Sequence, residues 1–396
     1  MRVQEEKGGQ PWRRARSRLS RLRSSRTSSS KLAPRFREYR NLGASYESGK
    51  MRLKSGVDYF ISSDGHRLVI YPIFGSFQYQ VSAPFQKQKK ILDCLSRGYD
   101  VRKEDVLSLA TDDAKTLSFI EQLVEEGLVV DGPYLCVLSK HDAEKYKRQI
   151  SYFEQSVSFQ GNPEDLQRSL EAKCVAIIGC GGAGAPVCEL LAASGVGRFR
   201  LIDRDSVELS NLGRQIAYTE ADLGCKKVSA LAKRIRLINP SACVEEVPEY
   251  MGELNYMDLT ADIDLAILAA DSPMPNILNW MDSASKAHDV SFACISNSPP
   301  EIRVGPIADF KLGHPYGAYR NALRASWNDV DDYEMVASSF ERNKAVTPWS
   351  CYAASSILVG QCIQWMLAGS SKVFGRSVVV NLETLEISER ADCPCP

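Results

Sequence analysis

Apolar and polar positions follow one pattern between residues 52 and 140 and a different pattern after residue 145. The first part has three short segments of alternating polarity and then three segments with apolar residues every three or four positions. These patterns predict strands at 59–61, 66–71 and 76–81, helices near 84–97, 102–110 and 113–126, and a hairpin over 127–137. Strands, three helices and a terminal hairpin describe a small winged-helix-like α+β unit.

From residue 145 onward, apolar runs alternate with helical patterns, which predicts a doubly wound, Rossmann-like α/β sheet with mostly parallel strands. Its strands are expected near 173–179, 198–203, 243–247, 264–269 and 290–295, and its helices at 185–194, 224–238 and 274–288. Gly305 and Pro306 are expected to open an irregular stretch that ends near 345, before an apolar helix at 349–368 and strands over 378–387. The expected domains are therefore 1–50, 51–140 and 141–396.

A glycine-rich turn follows the first strand of this sheet. Gly179, Gly181, Gly182 and Gly184 lie where the chain must turn into a helix and where a ligand could approach the backbone. A helix N-terminus at that place suits a phosphate. The next strand ends on Asp203, at the spacing where an acidic residue reaches a nucleotide ribose. Nucleotide binding is the expectation, and a strand–helix packing turn is the alternative.

The zero net charge of the 396 residues hides a strong asymmetry. Residues 1–50 contain 14 Lys and Arg against 4 Asp and Glu, which leaves 35 against 45 in the rest of the chain. The basic segment is too polar to fold alone, and we expect a disordered tail. A nucleic-acid tail, a transit peptide and a translation start at Met51 remain open. The acidic remainder argues against a nucleic-acid machine.

Twelve cysteines are scattered through apolar segments, and no secretory signal precedes them. A reduced, cytoplasmic protein is the expectation. Because no run approaches 18 apolar residues, no membrane span is expected.

Polar residues around the glycine turn carry a family resemblance. Asp203 and Asp205, Asn211 with Arg214 and Gln215, Lys227, and Asp271 after a further apolar strand occur in the order typical of the ThiF/MoeB/HesA family. Upstream, the run Tyr146-Lys-Arg148-Gln-Ile resembles the entry motif of these ATP-dependent adenylating enzymes, which are related to ubiquitin activators. The resemblance covers about residues 144–390.

The resemblance implies a role for each of these residues. Asp203 would hold the ribose, and Asn211, Arg214 and Lys227 would line the phosphate channel. Asp205, Gln215 and the four glycines would complete the ATP site, and Asp271 would bind Mg²⁺. Arg148 would reach the phosphates bound by the neighbouring subunit of a homodimer. Arg148, Arg214, Lys227 and Asp271 are the candidate catalytic residues.

The chain departs from the family in two places. Many members bind structural zinc through two Cys-x-x-Cys pairs, but only Cys393 and Cys395 lie at a comparable position, so zinc is not expected. Residues 306–350 contain no cysteine for thioester transfer, and Cys351 follows that stretch at the start of an apolar helix. Packing is its expected role, although a helix N-terminus can lower a thiol pKa.

The N-terminal unit resembles the peptide clamp that precedes the ThiF-like domain in a branch similar to the microcin C7 and pantocin A biosynthesis enzymes. In that branch a leader peptide adds as a strand to the small sheet. Phe77, Tyr79 and Val81 are the candidate peptide-binding residues. Winged helices often bind DNA, but here the third helix carries five acidic residues and one lysine, which opposes a phosphate backbone.

The sequence therefore predicts adenylation of a carboxyl or amide-derived group on a short ribosomal precursor peptide, which leads to cyclisation or terminal modification. Three alternatives remain open: a sulfur-carrier activator, a leader-binding partner without catalysis, and a DNA regulator. No nucleic-acid or membrane partner is expected.

Overall fold

The structure, a computed structural model, describes residues 12–16, 50–72, 77–97, 101–110, 113–131, 137–156, 161–270, 273, 276–326 and 346–390. Among these residues, the contacts define two compact units, the first extending to Leu166 and the second beginning at Gln167. The domain boundary predicted at residue 140 stays a prediction.

Within its described residues, the first unit contains two small sheets and five helices. Its strands are β1 (Trp12–Arg16), β2 (Met51–Leu53), β3 (Val57–Ile61), β4 (Arg67–Pro72), β5 (Phe77–Ser82) and β6 (Val129–Asp131), and its helices are α1 (Gln86–Leu95), α2 (Lys103–Ser108), α3 (Ala114–Glu125), α4 (Lys140–Lys145) and α5 (Lys147–Gln155). The larger sheet has the order β1-β5-β4-β3, and β2 pairs with β6. The three strands and three helices expected in this part of the chain are present, and their inner faces form one apolar core that includes Leu68, Leu92 and Phe119.

Two features of this unit were not predicted. Residues 12–16 form strand β1 within the segment expected to be disordered, and β1 pairs antiparallel with β5. Residues 129–131 pair with β2, which is a partner that the sequence did not predict. Residues 132–136 of the expected hairpin lie outside the described residues.

Helix α6 (Pro163–Ala172) leads into the sheet of the second unit. The strands are β7 (Cys174–Ile178), β8 (Arg198–Ile202), β9 (Cys243–Val247), β10 (Leu265–Leu268), β11 (Ser291–Ser298), β12 (Glu301–Ala308), β13 (Ser377–Asn381) and β14 (Ile387–Arg390), and the helices are α7 (Gly184–Ala193), α8 (Leu209–Leu212), α9 (Lys227–Ile238), α10 (Tyr256–Leu259), α11 (Asn276–His288), α12 (Tyr316–Ser326) and α13 (Pro348–Ala368), with a 3₁₀ turn at Glu220–Asp222. The strand order is β14-β13-β12-β11-β10-β7-β8-β9.

The five strands from β9 to β11 in this order are parallel, and the last three pair antiparallel. Because β7 neighbours both β8 and β10, the chain reverses its direction across the sheet at β7. Ligands bind at such a switch point in doubly wound sheets. The mixed, largely parallel α/β sheet confirms the predicted fold class, and both β7 and β10 are completely buried.

The irregular stretch predicted from Gly305 and Pro306 to about residue 345 is wrong at its start and again over α12 (Tyr316–Ser326). Residues 301–308 form β12, which pairs with β11 on one side and β13 on the other. Ile302 and Val304 are buried and alternate with Glu301 and Arg303, which is the pattern of a strand. Gly305, with a φ of +89°, allows the strand to bend without ending it.

Helix α13 has the length and hydropathy of a membrane span, but 56% of its most apolar window is buried within the fold. It packs against α7, β11 and β12. Its N-cap Thr347 and the left-handed Gly369 at its other end delimit the helix. These contacts are typical of the central helix of a globular core.

One close approach in this fold can be tested with a matched pair of glycine substitutions. An added Cβ at Gly184, in α7, would lie 1.9 Å from the carbonyl oxygen of Gly179, whereas a Cβ at Gly360, in α13, would meet nothing within 4 Å. We expect Gly184→Ala to destabilise the protein by about 1–3 kcal/mol through overpacking, and Gly360→Ala to be neutral or stabilising by up to about 1 kcal/mol through helix propensity. Thermal melting of both variants measures the difference. Equal melting temperatures of the two variants would contradict the close contact between Gly184 and the carbonyl of Gly179.

Candidate active site

The glycine turn after β7 brings three strand ends together. Gly179 has a φ of +95°, and its N–H donates to the carbonyl of Ile202 at the end of β8 (2.9 Å). A Cβ at Gly179 would lie 2.8 Å from the backbone nitrogen of Ala270, just beyond β10. Only glycine satisfies both the backbone angle and this contact. The turn therefore directs the N-terminus of α7 to the carboxyl edge of the sheet.

A cavity of about 630 Å³ lies at this edge. Its size is within the range of small-ligand sites. It brings together eight of the residues that the sequence singled out: Gly179, Gly181, Gly182, Asp203, Asp205, Arg214, Gln215 and Lys227. The position at the strand switch is where a nucleotide binds in sheets of this topology.

Asp203 is held in place by backbone donors. One carboxylate oxygen accepts a hydrogen bond from the N–H of Cys180, and the other accepts one from the N–H of Asp205, both at 2.8 Å. The carboxylate of Asp203 lines the cavity at the end of β8. Because a carboxylate oxygen can accept more than one hydrogen bond, Asp203 can still accept bonds from ribose hydroxyls.

Lys227 supplies a buried positive charge. It is the first residue of α9 and only 7% exposed, and its Nζ donates to Asp205 Oδ2 at 2.9 Å. Tyr218 lies beneath it and donates from its hydroxyl to the carbonyl of Cys180 (2.6 Å). Burial raises the pKa of Tyr218, so its hydroxyl keeps its proton and serves as a donor. The cavity therefore contains a lysine ammonium group whose position is fixed by the surrounding core.

Arg214 and Gln215 also line the cavity. The guanidinium of Arg214 donates to the carbonyl of Ser210 (2.8 Å), and the residue is partly exposed at the cavity. Gln215 is only 2% exposed, and its Oε1 has no hydrogen-bond partner among the described residues. The unpaired amide oxygen needs a donor, such as a hydroxyl or amino group of a ligand, whereas the two cations suit phosphates; a nucleotide carries both kinds of group.

Two predicted nucleotide-binding residues support the site without lining it. Asn211 is buried, and its Oδ1 accepts a hydrogen bond from the N–H of Glu208, which caps the short helix α8. Gly184 packs on the carbonyl of Gly179. Both residues shape the loops that carry the lining side chains.

The remaining predicted residues lie elsewhere. Asp271 is outside the described residues. Arg148 is exposed on α5 of the first unit. Phe77, Tyr79 and Val81 lie on β5 of that unit, where the side chains of Tyr79 and Val81 are buried in the core and the backbone edge pairs with β1. Their assigned roles stay predictions.

Sequence reasoning missed several residues that line the cavity. Arg204 lies over the ring of Tyr250, 4.7 Å from its centroid, and both line the cavity with Met251. Residues 249–251 follow β9, so the rule that identified Asp203 at the end of β8 would have found them. Asn297 also lines the cavity, on a part of β11 beyond its predicted end.

Cys351 lines the cavity from the first turn of α13. A Cβ added at Gly182 would lie 3.0 Å from its Sγ, and the Nδ2 of Asn297 lies 3.6 Å from the same sulfur. Burial raises the pKa of the Cys351 thiol, and the nearby Asn297 and Arg214 only partly oppose this effect. The expected packing role is consistent with this environment.

Within the described ranges, no three His, Cys, Asp or Glu side chains form a group that could hold a metal ion. The carboxylates of Asp203 and Asp205 at the cavity are nevertheless oxygen donors of the type that Mg²⁺ takes, and Mg²⁺ keeps several waters in nucleotide sites. The donor chemistry therefore fits magnesium carried with a nucleotide.

Some known proteins resemble the chain in sequence, and others resemble it in fold. Over 134 residues, which make up 34% of this chain and 47% of the relative, it is 35% identical to a sulfur carrier protein adenylyltransferase from Thermus thermophilus. The chain therefore spans about half the length of this relative. PaaA is 25% identical, with a TM-score of 0.65 over 85% of this chain and 98% of PaaA. Escherichia coli MccB, solved with AMPCPP and MccA, is 19% identical, with a TM-score of 0.66 over 87% of this chain and 98% of MccB.

The buried thiol leads to a prediction about reactivity. Because the thiolate is the reactive form, Cys351 should react with iodoacetamide at least about tenfold more slowly than the exposed Cys225 of the same protein. Mass spectrometry of peptides from the natively alkylated protein measures both rates. Equal rates at the two cysteines would contradict the packing role of Cys351 and would favour thioester chemistry at this residue.

A family profile matches the central part of the chain. The profile of the ThiF family covers residues 152–308, which contain the glycine turn, Asp203, Arg214 and Lys227. The same residues build the cavity at the strand switch. The chain thus contains a ThiF family domain, and the predicted resemblance to this family is confirmed.

Proposed function

We propose that this protein is an ATP-dependent adenylating enzyme that activates a carboxyl or amide-derived group on a ribosomally made precursor peptide. The modified peptide would be cyclised or altered at its terminus, as a step in antibiotic biosynthesis. The observation that carries the proposal is the cavity in which Asp203, Arg214 and Lys227 meet the glycine turn at the carboxyl edge of the sheet.

The chemistry of adenylation matches these side chains. An oxygen of the substrate carboxylate attacks the α-phosphorus of ATP, the bond to the β-phosphate oxygen breaks, and pyrophosphate leaves with the electron pair. Arg214 and Lys227 would stabilise the negative charge on the phosphates. Asp203 would orient the nucleoside through its ribose, and Gln215 would supply its unpaired amide oxygen to a donor on the ligand. Asp205, which pairs with Lys227, would exchange that partner for a phosphate.

Magnesium would come to the site with ATP and would offset charge on the leaving pyrophosphate. We propose Asp271 as its ligand on the family pattern, with Arg148 of a second subunit reaching the phosphates of a homodimer. Structural zinc is not part of the proposal.

The proposal of a peptide substrate is based on features of the first unit. In the small sheet, β5 lies next to the short terminal strand β1, and Tyr79 of β5 donates a hydrogen bond to Glu126 just after the acidic helix α3. A sheet of this kind suits an extended peptide that adds as a strand. E. coli MccB, with a similar fold, was solved with MccA. Glu121 and Glu125 of α3 are exposed and would repel DNA but attract a basic peptide leader.

A second candidate function is activation of a sulfur-carrier protein, because the T. thermophilus relative carries that name. The match to that relative covers only 34% of this chain and 47% of the relative, so it supports this function less broadly than a match over the whole chain would. A leader-binding protein without catalysis is disfavoured by the retained Asp203, Arg214 and Lys227. The nine cysteines in the described part of the chain are free thiols, which suits the proposed cytoplasmic location.

ATP binding can be tested with two neighbouring lysines. Lys227 is buried at the cavity, and Lys226 is exposed beside it. We expect Lys227→Gln to weaken ATP binding by about tenfold or more through loss of a charged contact, and Lys226→Gln to bind ATP like the wild type. Isothermal titration calorimetry with magnesium-ATP measures both. Equal weakening in the two variants, or in neither, would contradict the assignment of Lys227 to the phosphates.

The reaction products distinguish adenylation from other uses of ATP. With a candidate precursor peptide, the protein should release AMP and pyrophosphate, and Asp271→Ala should abolish pyrophosphate exchange while leaving the melting temperature unchanged. Release of ADP and phosphate would refute adenylation. Activity with a sulfur-carrier C-terminus in place of the peptide would favour the second candidate function.

The shared site of the proposed homodimer leads to a separate prediction. Mixing inactive Arg148→Ala with inactive Asp271→Ala should restore up to about a quarter of wild-type activity, because random pairing places half the dimers in the mixed form with one intact site of two. Pyrophosphate exchange measured after subunit exchange checks this value. If mixed dimers form, as shown by native mass spectrometry, and activity stays absent, Arg148 does not act across the interface.

A further inference from the structure

The edge of β5 already has a partner strand from the same chain. In the four-stranded sheet, β5 pairs with β4 on one side and with β1 on the other. The register of the second pairing runs from Trp12 opposite Val81 to Arg16 opposite Phe77, so all five residues of β1 lie along the strand. An extended peptide added at this edge would need the same backbone groups.

Strand β5 is held in place independently of β1. The side chains of Tyr79 and Val81 are buried in the core, and the Tyr79 hydroxyl donates to the carboxylate of Glu126 just after α3 (2.6 Å). Strand β4 also pairs with β5 from Arg67 to Ile70. By contrast, β1 is the terminal strand of the sheet and has β5 as its single strand partner. Removal of β1 would therefore leave a formed edge.

Charge favours a basic strand at this edge. The sequence of β1 is Trp-Arg-Arg-Ala-Arg, with three positive charges in five residues. Helix α3, which is linked to β5 through the bond between Tyr79 and Glu126, exposes Glu121 and Glu125. The first 50 residues carry a net charge of +10, whereas the rest of the chain carries −10.

We propose that the edge of β5 is a docking surface for an extended basic segment and that residues 12–16 of the protein's own tail are its resident occupant. The tail then competes with any peptide that binds at the same edge, so the peptide substrate must displace β1. The effect on substrate binding rests on the proposed function, whereas the occupancy of the edge does not. The sequence of β1 also predicts the substrate class: a peptide whose leader presents alternating or adjacent basic residues in an extended segment.

A proline pair tests the occupancy without a change of charge. In an antiparallel pair, alternate residues direct their N–H groups to the neighbouring strand. Positions 12 and 15 are three residues apart, so the N–H of one of them, but not of the other, is directed at β5. The double substitution Trp12→Pro with Ala15→Pro therefore removes one N–H directed at β5, whichever of the two it is, and keeps all three arginines. Ser24→Pro with Ser25→Pro, in the same tail but outside β1, is the matched control.

The probe is a fluorescently labelled synthetic peptide with the sequence of residues 9–18, titrated into the full-length chain and measured by anisotropy. A tethered tail has an effective concentration on the order of 1 mM, so releasing it should tighten the apparent Kd of the probe about tenfold. The Trp12→Pro/Ala15→Pro protein should show this gain, and the Ser24→Pro/Ser25→Pro protein should bind like the wild type. Equal Kd values in all three proteins, no binding to any of them, or the same gain in the control would each overturn the proposal.

Hydrogen exchange locates the effect. In the Trp12→Pro/Ala15→Pro protein, amides within residues 77–82 should exchange at least about tenfold faster, because those directed at β1 lose their acceptors, and the amides of β10 should be unchanged. If protection of residues 77–82 in the wild type fell on dilution, the occupant would be the tail of a second copy, which overturns the intramolecular contact. Neither measurement uses ATP, so both results are independent of whether the protein adenylates a peptide.

Discussion

The close contact between Gly184 and the carbonyl of Gly179 is the constraint on which the nucleotide cavity depends. It allows α7 to begin directly after the turn of residues 179–183, in which Gly179 lies against the ends of β8 and β10. A side chain at either position would separate the helix from the sheet and widen the turn. Asp203 then receives the N–H of Cys180 from this same turn, so the orientation of the carboxylate follows from the backbone.

The sequence pattern predicted those strands and turns that depend on neighbouring residues in the chain. The buried strands β7 and β10 are short apolar runs, and the glycines and Asp203 directly follow strands, so their place at the sheet edge could be inferred from order alone. Strand β12 was missed because Gly305 and Pro306 usually end a strand. Its pairing on both sides depends on β13, more than 70 residues later in the chain. A single-sequence pattern contains no information about such a distant partner.

The candidate site, like the fold, was predicted only in part from the sequence. Glycines and polar or charged residues were found in a family order, and eight of them line one cavity. Asn211 was assigned to the ligand, but in the structure it caps α8, because a capping asparagine and a ligand-binding asparagine look the same in a sequence. Tyr250 was missed because the rule that identified Asp203 after β8 was not applied to the residues after β9, although its contact with Arg204 could not have been read from the sequence.

The ion pair between Lys227 and Asp205 determines which anions can enter the cavity. Lys227 is buried, whereas the side chain of Asp205 is 57% exposed. An unpaired buried ammonium would cost several kcal/mol, so Asp205 serves as a built-in counterion. When a polyphosphate enters, one anion replaces another, and the freed carboxylate returns to water at little cost. A polyanion that also contacts Arg214 gains more from this exchange than a single small anion does, so phosphate or chloride should be poor occupants of the pocket even at cellular concentrations.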